Sequence, residues 1–174
     1  MAQMASESLV DAVVTRIRQI APISTAWGPS SAYEAIKIVQ GGDLAYLPER
    51  LEMVDDLPAV FVNVDGPVDL EIVGLNAPEF QATYSIRCIY IDNYSRVTDE
   101  PWTMVRNRVD VLADAFMDSA VLNGVSTTLT TLLSAVTSKV EYSTPEEGLL
   151  QALGLEDIFC GAWTVTITGL STGS

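Results

Sequence analysis

The chain has 174 residues, 23 of them acidic, nine basic and none histidine, for a formal charge of −14; hydrophobic residues make up 48% and charged residues 18%. That length fits one domain that can bury a core without disulfide or metal, and the charge excludes a protein that grips nucleic acid by its phosphates, which needs the opposite sign. Without histidine the usual near-neutral general base and the commonest zinc ligand are both missing.

The opening MAQMASESLV has no basic lead and no long apolar run, so it reads as neither signal peptide nor membrane segment. From Ser6, a candidate N-cap with Glu7 behind it, Leu9, Val10, Val13, Ile17 and Ile20 form one stripe of a surface helix that stops near Ala21-Pro22. YEAIKIV reads as a short strand. The following segment, about 40–57, has two adjacent glycines and no sustained period, and reads as an irregular arm. On it Tyr46, Leu47, Leu51 and Met53 are the candidate interface residues, set to pack on their own domain or on a neighbouring subunit.

PAVFVNV predicts a strand with an apolar face of Val60, Val62 and Val64 opposite Ala59, Phe61 and Asn63. After the turn at 65–67, DLEIVGL reads as a brief strand or the flank of a hairpin. TYSIRCIYIDNY then predicts a central strand: Tyr84, Ile86, Cys88 and Tyr90 make an apolar face for helices, while Ser85, Arg87, Ile89 and Ile91 need a further neighbour over their outer end. At TDEPWTMVRNRVDVLADAFMD the period changes to helical. Trp102, Val105, Val109, Leu112 and Phe116 form the buried stripe, Arg106, Arg108, Asp110, Asp114 and Asp118 lie mostly outside it, and Asn123-Gly124 closes the segment. GVSTTLTTLLSAV reads as a short helix or loop, VTSKVEYS as a strand and PEEGLLQALGLEDI as two helical turns. GAWTVTITG is a strand with Trp163, Val165 and Ile167 on one face and Thr164, Thr166 and Thr168 on the other. The sum is a single α+β domain over 1–174, a two-layer sandwich of a mixed, mainly antiparallel sheet of four to five strands with two long helices on one face.

The chain contains no GxxxxGK[ST] or GxGxxG motif, and Gly41-Gly42 reads as a structural turn. Cys88 and Cys160 read as buried free thiols, with neither zinc nor redox spacing. Asp55 with Asp56 and Asp69 with Glu71 are the carboxylate pairs that could hold a hard cation or divide acid and base roles in a metal-dependent hydrolase; a solvated acidic surface is the simpler reading. Arg87 is read as an edge or interface ion-pair residue. Between Asp43 and Glu79 stand nine acids and one base, Arg50, so one side of the molecule carries a concentrated negative field.

The order SLVDAVVTRIRQI, LPERLEMVDDLPAVFVNV, FQATYSIRCIYIDNY, TMVRNRVDVLADAFMD and AWTVTITG, over about residues 6–170, resembles the tail terminator proteins of tailed bacteriophages and related neck and tail-completion proteins. The resemblance implies a structural virion protein, not an enzyme, with no cofactor or metal. Copies of it would form a hexameric ring on the tail tube, contacting the tube protein and neck proteins, with DNA passing through an acidic channel without capture and no membrane involved. It implies assembly in the host cytoplasm and residence in the virion. A head-completion or stopper protein is the neighbouring reading.

Overall fold

The computed structural model describes residues 6–20, 36, 38–41, 57–74, 79–93, 101–117, 131–152, 154, 155 and 157–172. The elements run α1 (Ser6–Ile20), β1 (Ile38–Gly41), β2 (Ala59–Val64), β3 (Asp69–Ile72), β4 (Glu79–Asn93), α2 (Pro101–Asp114), β5 (Thr131–Glu141), α3 (Pro145–Ala152) and β6 (Ile158–Thr172). They form an α+β fold on a mixed six-stranded sheet, ordered β1-β2-β4-β6-β5, with β3 on β4 beyond the end of β2. The pair β1–β2 is parallel and the rest are antiparallel. The sheet therefore has six strands, against the four to five expected. The difference lies in short pieces: β1 sits a few residues later than YEAIKIV, and β3 is a separate strand.

The spine is the β4–β6 ribbon, paired over fifteen consecutive positions from Glu79↔Thr172 to Asn93↔Ile158. At strand rise it spans about 50 Å. α1, at fifteen residues, is only about 22 Å long, so the sheet outruns it. β2 and β3 lie end to end along the same side of β4, and Asp65 N–H still donates to the Ser85 carbonyl between them. The break needs Gly66, whose φ of 80° is a conformation that L side chains rarely adopt.

Alternation makes two cores. Toward α1 and α2, the side chains of Leu9, Val13 and Ile17 with Val109, Leu112 and Phe116 pack on Val60, Val62, Tyr84, Ile86, Cys88, Trp163, Val165 and Ile167. The opposite alternation, Ala59, Phe61, Ile89, Ile91, Ile158, Cys160 and Ala162, makes a second core closed by Leu150 of α3 and by Leu155. That cover is the neighbour required over Ile89 and Ile91, and it means the sheet is covered on both faces at this end, where a two-layer arrangement was expected. The region Thr131–Ala135, read as helix or loop, belongs to strand β5. Register shifts between Leu132 and Ser134 and between Thr137 and Lys139 break its two-residue period.

Polar contacts fix the helices to the sheet. Arg18 donates to the Val39 carbonyl at 2.6 and 3.1 Å, and Thr137 donates to the Ala113 carbonyl at 2.7 Å. A Cβ on Gly41 would stand 2.8 Å from Cγ1 of Val10, so this glycine is where β1 meets α1; it is the last residue of that strand and not part of a turn, and Gly42 lies outside the described residues. α2 begins at Pro101, suited to a first helical turn. Its helical residues end at Asp114, short of Asn123-Gly124, which lie outside the described residues.

Candidate functional site

The end of the sheet that carries β3 holds the candidate site. All four residues of β3, Asp69, Leu70, Glu71 and Ile72, are exposed. Leu70 is 59% and Ile72 70% accessible, and Val73 after them is also exposed. Pairing with Thr83 and Gln81 sets Asp69 and Glu71 on one face and sets Leu70 and Ile72 on the other, alongside Ala82 and Phe80. The carboxylate face runs on through a hydroxyl array: Thr83 Oγ1 is 3.3 Å from Thr168 Oγ1, Thr166 donates to Ser138 at 2.8 Å, and Ser138 donates to the Thr164 carbonyl at 3.3 Å.

Between this array and the second core sits Arg87. It lies on the central strand β4, not on an edge, and reaches Glu141 of β5 and Glu146 of α3, the latter at 3.2 Å. Lys139 joins Glu141 at 3.2 Å. Burial opposes the charge on Arg87, but bonds to the two carboxylates more than offset it and raise its pKa. Burial also disfavours the charge on Glu141, and the bonds from Arg87 and Lys139 reverse that, holding its carboxyl below the usual range. The ion pair ties α3 to the sheet, and both carboxylates come from this chain.

Arg108, which helical spacing puts mostly outside the buried stripe, is 4% exposed. Its Nη1 donates to Asp92 Oδ2 at 2.7 Å and to the Tyr90 hydroxyl, the hydroxyl donates to Asp92 at 2.8 Å, and the Asn93 amide donates to Asp92 Oδ1 at 2.8 Å. Burial, reinforced by the Asp92 charge, pushes the Tyr90 phenol well up, with Arg108 opposing. These contacts lock α2 to the covered end of β4. The signal that would have found it is Asp92 itself, which continues the buried register of Tyr84, Ile86, Cys88 and Tyr90.

Cys88 and Cys160 are buried free thiols, and burial raises the pKa of both. That leaves them protonated and poor nucleophiles. Among the described residues no group of three or more potential ligands is placed to hold a metal ion, and no helix is long and apolar enough to cross a membrane. Tyr46, Leu47, Leu51, Met53, Asp55, Asp56 and Asp118 lie outside the described residues, as do the side chains of Trp102 and Val105.

No protein-family model matches the chain, and no curated protein matches it. Among solved structures it is similar to a chain from the "Virion of native gene transfer agent (GTA) particle", with a TM-score of 0.49 and 10% identity over 99% of this chain and 100% of that one. A likeness of that size carries no argument about what this protein does.

Proposed function

We propose that this protein is a structural virion component that assembles as a ring, of the tail terminator kind, ending the tail tube and joining it to the neck. The observation that carries the reading is β3, a sheet strand whose aliphatic side chains stand in solvent while its carboxylates share the opposite face. Exposed aliphatic residues on an edge strand favour association, and proteins that stay monomeric usually cover or blunt such edges. The terminator assignment itself rests on the order of sequence elements. The acidic surface suits a channel from which DNA is repelled. The ring number of six, the tube and neck contacts, and the arm residues Tyr46, Leu47, Leu51 and Met53 as further interface belong to the same proposal.

A particle reconstruction at the neck tests it. The chain should appear as a ring stacked on the last tube ring; density against the portal with no tube contact would make it a stopper, and its absence from particles would end the virion reading. In parallel, Leu70→Lys with Ile72→Lys should leave the melting temperature unchanged within about 2 °C, since both side chains are already solvated, and should abolish incorporation.

A further inference from the structure

At the β3 end of the sheet the order of the described strands is β3-β4-β6-β5, so among the described residues β3 and β5 are its two opposite edges. The registers align them in rows across the ribbon. Asp69, Thr83, Thr168 and Ser134 share one row, and Leu70, Ala82, Gly169 and Leu132 share the next. Both edges therefore lie at the same level. Strand direction alternates through these four strands, so β3 of a second copy placed by rotation beside β5 would run antiparallel to it. The sheet would continue without reversing its faces.

We infer that β3 of one copy adds to the β5 edge of the next, closing a head-to-tail ring through a shared antiparallel sheet; the inference rests on the ring reading above and names the joint. Charge decides between this joint and the simpler one of β3 on β3. Opposed residues in an antiparallel pair share a face, so two β3 strands related by a twofold axis would set Asp69 and Glu71 against the same carboxylates of the partner copy, which is destabilising. The first eight residues of β5, TLLSAVTS, carry no acid, and the first charge beyond them is the exposed Lys139. On β5 the acids of β3 meet Ser134 on their own face, while Leu70 comes level with Leu132 on the other. The occupant of each edge is thus the other edge of an identical chain.

Cysteine pairs read the joint directly, because Cys88 and Cys160 are buried and the introduced thiols lie on the solvated face. Particles carrying the doubly substituted chain Asp69→Cys with Ser134→Cys are oxidised mildly and their proteins separated without reductant. A second double variant, Glu71→Cys with Ser134→Cys, covers a two-residue register shift. A ladder of covalent multimers ending at the closed ring in either double variant, with single variants staying monomeric, is the expected result. Monomer alone from particles that do contain the chain overturns the β3–β5 joint and leaves the ring reading standing. Dimers from Asp69→Cys alone overturn it in favour of a twofold contact, and particles lacking the chain overturn joint and ring together.

Discussion

Asp92→Ala is the sharpest test of the packing at the covered end. It removes the carboxylate that receives Arg108 Nη1 at 2.7 Å, the Tyr90 hydroxyl at 2.8 Å and the Asn93 amide at 2.8 Å, breaking the ion pair of a cation that is 4% exposed. Removing one partner of a buried pair costs about 3–5 kcal/mol. For a chain of this size each kcal/mol lowers the melting temperature by roughly 2–4 °C, which gives a drop on the order of 10 °C. Removing the cation as well should recover most of this, since Asp92→Leu with Arg108→Met replaces the pair by apolar groups. Urea unfolding followed by circular dichroism, with the full double-mutant cycle, measures both. A loss under about 1 kcal/mol for Asp92→Ala, or a double variant as unstable as the sum of the singles, would refute the view of this cluster as a coupled buried lock.

Gly41→Ala should destabilise by about 1–3 kcal/mol in chemical denaturation, because its Cβ would meet branched Val10 at 2.8 Å. Glu141→Gln should flatten the acid limb of stability: a carboxyl held below its usual 4.5 contributes fully above that pH and loses the contribution as pH falls through its folded value. Stability titrations of the two proteins between pH 6 and 3, as an approximate range, should therefore converge at the acid end. Neither cysteine should react with an aromatic disulfide reagent in the native chain, and both should react in denaturant, since both are buried.

The first core was legible because its residues keep strict periods. Leu9, Val13 and Ile17 repeat at helical spacing, and Trp163, Val165 and Ile167 alternate with threonines, so face and partner follow together. β5 was not legible. Its bulges at Leu132/Ser134 and Thr137/Lys139 shift the phase of alternation twice within eleven residues, and TTLLSAV then matches neither period. Arg108 was missed for another reason. Its partner lies sixteen residues earlier on a different element, and a helical wheel alone places any arginine toward water. The exposure of Leu70 and Ile72 could not be read at all, because alternation tells which residues share a face and not whether anything covers it.

The strength of the proposed joint follows from how small β3 is. Burying Leu70 and Ile72 fully would contribute roughly 3–6 kcal/mol, while association costs an estimated 4–15 kcal/mol in lost freedom. One joint therefore does not hold two copies together. In a closed ring each copy makes two joints, the last closure costs no further independent association, and a tube end that binds several copies raises their effective concentration. The isolated chain should accordingly sediment as a monomer at micromolar concentration and form rings only when concentrated or when a tube end is present. Sedimentation velocity across a concentration series, with and without purified tubes, measures this. A stable dimer at low micromolar concentration would require an interface larger than β3, and the arm at about 40–57 would then be the first segment to replace.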